Sequence, residues 1–174
     1  MHTNMAPLWQ LCMEGKLAEV REALARGEDV NGKADEGAFT ALMGAMFSGD
    51  TEIVKLLLEQ PTVDLNCSDT SGQTALHEAA FFFDNFRAVN LLLADPRLTT
   101  HNHKDITGWT PAMSAAYWKR AGTLRELVAH PSVNLDTMDK LEDKLERIIR
   151  EARQRRQAAR QQEQQEYDQV CIRV

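Results

Sequence analysis

Between residues 8 and 139 the hydrophobic positions form a block that recurs along the chain. Thr40-Ala-Leu-Met43 returns as Thr74-Ala-Leu-His77 and again as Thr110-Pro-Ala-Met113, at steps of 34 and 36 residues. A glycine precedes each block, and small residues follow the block, as in Ala79-Ala80. Self-similarity at such a period indicates a chain built from repeated structural units.

The second half of each unit is more strongly apolar than the first. Its clearest example is Ile53-Val54 followed by Leu56-Leu57-Leu58, and a proline comes after it at Pro61, Pro96 or Pro131. Because proline cannot continue a helix, each unit is predicted to hold two helices and then a loop. One unit cannot cover so wide an apolar face alone, so neighbouring units must stack.

A degenerate copy precedes these units. Residues 8–33 keep the two helical stretches but lack the leading turn, which is typical of a terminal capping repeat. The predicted layout is a disordered N-terminus at 1–7, the capping repeat at 8–33, full repeats at 34–68, 69–104 and 105–139, a C-terminal helix at 140–166 and a flexible tail at 167–174.

The spaced positions resemble the ankyrin repeat family. They are an Asp-x-x-Gly turn (Asp69 to Gly72), a Thr-Ala-Leu-His run ending at His77, an alanine pair, a leucine run and a Val-Asp-x-Asn segment. The resemblance implies an all-α helical solenoid with β-turn-like inter-repeat loops, to which this chain adds a C-terminal helical extension. Two departures stand out: an extra residue follows Gly37, and Phe81-Phe82-Phe83-Asp84 replaces the glycine that normally ends the first helix.

The resemblance also implies that the chain binds another protein on a concave side made of turn tips and first helices. The family's variable positions flank the turn glycine and follow the alanine pair. Seven of the eleven aromatic residues fall on this surface, and buried aromatics are common hot spots of interfaces. The predicted partner-binding residues are Phe39, Phe47, Gln73, Phe81, Phe82, Trp109, Tyr117 and Trp118.

Some of these rings could instead fill the space between repeats. Three consecutive phenylalanines cannot all point outward from a helix, so Phe83 is expected in the core together with Phe86.

The C-terminal extension has a short apolar stripe that includes Leu141, Leu145 and Ile149, predicted to pack on the last repeat. After Ala152 the stripe fades into Arg, Gln, Glu and Ala. Three interpretations stay open for this part: a solvated helix, a homo-oligomer formed through a coiled coil at 141–166, or an arginine surface for an acidic partner.

The last residues are a hydrophobic C-terminal motif of the type that PDZ domains bind. Ile172 and Val174 occupy the two apolar positions, so a PDZ partner is a further hypothesis for the tail.

Charge and cysteine content narrow the function classes. The net charge of −6 argues against non-specific binding to nucleic acid, and no apolar run is long enough to insert into a membrane. Three widely spaced cysteines, Cys12, Cys67 and Cys171, favour reduced thiols in an intracellular protein. The cysteines do not choose between cytosol and nucleus, and we expect the cytoplasm rather than the nucleus.

Motifs of catalysis are missing from the sequence. It has no phosphate-binding glycine loop, no nucleophile elbow and no zinc-protease motif, so we predict a non-enzymatic protein without a cofactor or a metal. His101-x-His103 lies in a predicted loop with no further ligand at a suitable spacing, which favours exposed histidines. His77 is expected to be structural, with Thr74 as its hydrogen-bond partner.

Overall fold

A computed structural model of the chain describes residues 6–34, 37–81, 86–136, 150–155, 157–162 and 165. Within these residues it has eight short helices joined by turns, and residues 150–155 and 157–162 are also helical. The helices are α1 Leu8–Met13, α2 Leu17–Ala25, α3 Ala41–Ser48, α4 Thr51–Leu58, α5 Ala75–Phe81, α6 Phe86–Leu93, α7 Pro111–Tyr117 and α8 Ala121–Ala129. This architecture confirms the predicted all-α repeat solenoid.

The helices form two layers that share one core. The first helices α1, α3, α5 and α7 pack successively against one another, and the second helices α2, α4, α6 and α8 form the other layer. Leucine, isoleucine and valine side chains of the second helices, such as Ile53 and Leu92, are fully buried between the layers. No described helix combines the length and hydropathy that crossing a bilayer requires.

Threonine and aspartate set where the helices begin. The Thr40 hydroxyl accepts the Met43 N–H at the start of α3, and the Asp50 carboxylate accepts the N–H groups of Glu52 and Ile53 at the start of α4. These bonds satisfy amides that have no partner within a helix, so the recurring threonine is a capping residue.

The turns between repeats are hairpin-like but too short to make a sheet. Among the described residues the backbone pairs in isolated bridges, Lys33 with Thr40 and Ser68 with Thr74. Successive turns also touch, because the Ile106 N–H donates to the Ser71 carbonyl at 3.0 Å. The turn tips therefore line up along one side of the array.

Three asparagines, one at the end of each inter-repeat loop, join neighbouring repeats. Asn66 Nδ2 donates to the Arg97 carbonyl at 2.9 Å, and its Oδ1 accepts the Thr99 N–H at 2.7 Å. Asn31 and Asn102 make the same pair of bonds with the following loop. Each amide thus satisfies two backbone groups of the next repeat, which fixes the spacing of the stack.

The described part of the C-terminal helix contacts the last repeat. Ala152 is buried, and the Arg153 guanidinium donates to the Leu135 carbonyl. Residues 157–162 are exposed, as the loss of the apolar stripe indicates. The predicted packing of Leu141, Leu145 and Ile149 lies outside the described residues.

Lys119, two residues after the end of α7, has a backbone conformation that favours glycine. Its φ is 57°, whereas Gly49 has the equivalent place after α3 with a φ of 77°. A non-glycine residue in this left-handed region is strained by roughly 1 kcal/mol.

We expect Lys119→Gly to raise the free energy of unfolding by about 1 kcal/mol, since the strain is released. Urea denaturation followed by circular dichroism measures this change. Lys55→Gly is the opposite control: it places glycine inside α4 and should destabilise the protein by a similar amount. A destabilised Lys119→Gly variant would contradict the assignment of strain.

Candidate functional site

Four of the predicted partner-binding rings form one continuous cluster across the second and third full repeats. The Trp109 and Tyr117 ring centroids are 4.7 Å apart, those of Tyr117 and Trp118 are 5.1 Å apart, and those of Trp118 and Phe81 are 4.6 Å apart. All three contacts are edge-to-face, the geometry that the aromatic quadrupole favours. We call these four residues the aromatic cluster.

Much of the aromatic cluster is open to solvent. Tyr117 is 58% exposed and Trp118 is 40% exposed, while Phe81 and Trp109 are half-buried beneath and beside them. A contiguous apolar patch on the surface, unlike a single exposed apolar side chain, often marks a binding site.

The turn before α7 holds Trp109 in place through its backbone. The Trp109 N–H donates to the Asp105 carboxylate, and the Asp105 N–H donates to the Trp109 carbonyl, both at 2.9 Å. His77 in the preceding repeat adds a third bond, from Nε2 to the same carbonyl at 3.0 Å. The indole is therefore carried by a turn tied to both repeats.

His77 acts as a neutral structural bridge. Its Nδ1 accepts the Thr74 N–H at 3.1 Å, which leaves Nε2 as the donor to Trp109. Burial lowers the pKa of His77, so the neutral imidazole that this arrangement needs is favoured. The predicted pairing of His77 with Thr74 is confirmed, and the bond to Trp109 is an addition that the sequence did not indicate.

Arg120 supports the other end of the aromatic cluster. Its guanidinium donates to the Phe81 carbonyl at 2.9 Å, at the C-terminus of α5. A cation at a helix C-terminus satisfies a carbonyl that lacks a partner within the helix. This bond connects the Phe81 backbone to the residue that directly precedes α8.

The remaining predicted residues are more scattered. Phe39 is half-buried near the N-terminal end, where its ring meets Trp9 edge-on at 6.3 Å. Phe47 is half-buried at the end of α3, and the backbone N–H of Gln73 donates to Asp69 at 2.7 Å. Phe82, Ile172 and Val174 lie outside the described residues.

Two apolar side chains differ from the sequence-based predictions. Phe86 was expected in the core but is 42% exposed, with the Arg87 guanidinium 5.9 Å from its ring centroid. That prediction was wrong because α6 begins at Phe86, whose side chain falls outside the buried stripe of Ala88, Val89 and Leu92. Ile106, at a turn tip, is 77% exposed and was not predicted as a surface residue.

The described residues show no arrangement suited to catalysis. Burial raises the pKa of the Cys12 thiol to about 12, and burial and a hydrogen bond to Asp64 raise that of Cys67, so both thiols stay protonated near neutral pH. No three His, Cys, Asp or Glu side chains in this part of the chain could hold a metal ion together. His101 stacks on His130 instead, with ring centroids 4.8 Å apart.

A cavity of about 420 Å³ lies between the last loop and the C-terminal helix, away from the aromatic cluster. Its lining includes Asn134, Asp136, Arg153, Gln157 and Arg160. It has one acidic side chain and no nucleophile paired with a base, so it offers no catalytic pair.

Comparison with known proteins agrees with the repeat architecture. BCL-6 corepressor-like protein 1 of Homo sapiens is 40% identical to this chain over 78 residues, which are 43% of this chain and 4% of that protein. Neurogenic locus Notch protein of Drosophila melanogaster is 31% identical over 109 residues, 63% of this chain and 4% of that protein. The chain therefore spans only a small part of the length of these relatives.

A family model described as ankyrin repeats, in three copies, matches residues 8–100 and 63–139, most of the chain. Its range covers all eight helices, the recurring turns and the aromatic cluster described above. The chain belongs to the ankyrin repeat family.

Proposed function

We propose that this protein is a non-catalytic adaptor that binds a partner protein through its aromatic cluster. Ankyrin repeats generally mediate protein–protein interaction, and the family is typically a non-catalytic interaction module. The observation that carries the proposal is the continuous, partly exposed row of Trp109, Tyr117, Trp118 and Phe81.

The position of the aromatic cluster supports a binding role. Tyr117 and Phe81 end the first helices α7 and α5, and Trp109 belongs to the turn before α7. First helices and turn tips form the concave side on which members of this family usually bind. A partner that covers the rings would remove apolar area from water at a site already held rigid by hydrogen bonds.

Alanine at Trp109 and at Tyr117 is expected to weaken binding by at least about 2 kcal/mol, roughly thirtyfold, as truncation of a hot spot does. Both substitutions change only a side chain, so the hydrogen bonds from the Trp109 backbone to Asp105 and His77 remain. The measurement is recovery of partner proteins from cell lysate, quantified for the intact chain and for the double variant.

Phe86→Ala is the matched control, because it removes an exposed aromatic ring from the second-helix layer. It should retain the partners. Equal recovery by the Trp109→Ala, Tyr117→Ala variant and by the intact chain would refute the aromatic cluster as the binding surface. Circular dichroism of each variant distinguishes loss of binding from loss of fold.

Two alternatives concern the C-terminal region and use the same assay. Self-association through 141–166 and capture of a PDZ domain by Ile172 and Val174 both require residues beyond Arg153. A variant that ends at Arg153 would lose its partners, or change its size in solution, only if one of these alternatives is correct. The repeats would then be the scaffold for the tail.

A further inference from the structure

The charge of the chain is unevenly distributed along the repeats. Residues 1–68 contain 11 acidic and 5 basic side chains, whereas residues 69–125 contain 5 acidic and 6 basic ones. The excess of negative charge therefore belongs to the N-terminal part of the array, and the part that carries the aromatic cluster is close to neutral in formal charge.

In the described residues of this stretch, burial and pairing affect the acidic side chains more than the basic ones. Among the described residues of 69–125 no acidic side chain is exposed. Glu78 is buried, Asp95 pairs with Arg97 at 2.6 Å, and Asp69 and Asp105 accept the backbone amides of their turns. Four basic side chains in the same part of the chain are exposed, namely Arg87, Lys104, Lys119 and Arg125.

Two of these cations lie close in sequence to residues of the aromatic cluster. Lys119 directly follows Trp118, and Lys104 precedes Asp105, whose backbone and carboxylate both bond to Trp109. An exposed lysine thus precedes the turn that carries Trp109, and another follows Trp118 at the end of α7.

We propose that the segment bound by the aromatic cluster is acidic: aromatic or aliphatic anchors of the partner lie on the rings, and aspartates or glutamates beside them meet Lys104 and Lys119. This inference rests on the proposed function and adds the chemistry of the partner to it. Complementary charge steers association and discriminates against basic segments, since like charges brought together at an interface repel.

A second copy of this chain fits the surface less well than an acidic peptide segment does. The N-terminal repeats supply exposed acids such as Glu19, Glu22 and Glu59. However, the large hydrophobic side chains that are exposed in the described part of the chain all lie between Phe86 and Trp118. The acidic half therefore has no large apolar anchor of its own to place on the rings.

The test selects peptides of about 16 residues, long enough to cross two repeats, from a random displayed library with the intact folded chain as bait. We expect the enriched sequences to combine Asp or Glu with aromatic or aliphatic residues. The best peptide, made synthetically, should bind at least about tenfold more weakly to Lys104→Glu, Lys119→Glu than to the unaltered chain, and more weakly as salt is added.

The matched control reverses two charges in the N-terminal repeats. Lys33 precedes the turn of the first full repeat as Lys104 precedes that of the third, and Arg21 is exposed on α2. Lys33→Glu, Arg21→Glu gives the same net charge change and should leave the affinity within about twofold.

The outcomes separate this inference from the proposed function. Enriched peptides that are neutral or basic, or an affinity that survives reversal at Lys104 and Lys119, would overturn the acidic partner while leaving the aromatic cluster as a binding surface. If no peptide is enriched, or if the double variant Tyr117→Ala, Trp118→Ala binds the best peptide as tightly as the unaltered chain does, both the acidic partner and the aromatic cluster as a binding surface are overturned. A dimer of the chain alone that Lys104→Glu, Lys119→Glu dissociates would make a second copy the occupant, and would also overturn the inference.

Discussion

Gly44→Ala is expected to destabilise the protein by about 3 kcal/mol, because α1 passes so close to α3 that no side chain fits between them. A Cβ at Gly44 would lie 2.5 Å from the Trp9 carbonyl oxygen and 3.0 Å from the Met13 amide nitrogen. Both are backbone atoms, so the contact is relieved only if a whole helix moves. Such a movement would detach the capping repeat, α1 and α2, from the rest of the core.

Urea denaturation followed by circular dichroism measures the effect of Gly44→Ala, with loss of the capping repeat seen as a separate early transition. In a helix without this contact the same change would stabilise the protein by roughly 1 kcal/mol, so the sign alone is informative. Ser114→Ala, at the equivalent position of α7, is the control and should change stability by less than about 1 kcal/mol. A stabilised Gly44→Ala variant would disprove the close approach.

Glu78→Gln is expected to stabilise the protein by about 3 kcal/mol above neutral pH. Glu78 occupies the position of Gly44 one repeat further on, is only 4% exposed, and its pKa is raised from 4.5 to about 7 by burial and then by the negative charge of Asp69. One pKa unit corresponds to roughly 1.4 kcal/mol between the two protonation states. Glutamine keeps the shape and removes the charge that burial penalises.

The sign of the pH dependence follows from proton binding. Between pH 4.5 and about 7 the folded protein holds a proton on Glu78 that the unfolded chain has lost, so this carboxyl lowers stability as pH rises through that window. His77, whose pKa is lowered by burial, acts in the opposite sense as pH falls below its unfolded value. The informative quantity is therefore the stability of Glu78→Gln minus that of the unaltered chain at each pH.

That difference should be near zero at about pH 4 and rise to its full value by about pH 8. Denaturant unfolding at a series of pH values gives it directly. Glu52→Gln is the control: Glu52 is exposed, and its pKa is lowered by the hydrogen bond to Lys55, so the same difference should not increase over this range. A flat profile for Glu78→Gln would mean that the carboxyl is not desolvated as the structure indicates.

The periodic features of the fold could be predicted from the sequence. The recurring threonine before each first helix, the small residues after it and the proline after each second helix act within one unit, so the pattern shows them directly. The aromatic positions could be predicted from the resemblance to the family. Their contacts could not, since the path from Trp109 to Phe81 depends on how α7 packs against α5.

The features that the sequence did not reveal depend on distances between units. Phe86 was placed in the core together with Phe83 because the phenylalanines of this run cannot all point outward from a helix, yet its exposure is decided by where α6 begins. The burial of Glu78 could not be inferred from the presence of a charged residue in a short helix, because it arises from the packing of α5 on its neighbouring first helices. The strain at Lys119 depends on a backbone angle that no side-chain pattern encodes.

Because of the asparagine bridges, a repeat added inside the array and a repeat added at its C-terminal end would form different junctions. Asp136 stands where Asn31 and Asn66 stand in earlier loops: in all three the backbone N–H donates to the side chain two residues before it. A carboxylate accepts hydrogen bonds but has no amide to donate to the loop carbonyl of another unit. A duplicated repeat inserted between internal units would thus have both hydrogen bonds of an asparagine bridge at its junction. The same repeat appended after Asp136 would have its backbone N–H accepted by the carboxylate, but its loop carbonyl would lack the amide donor.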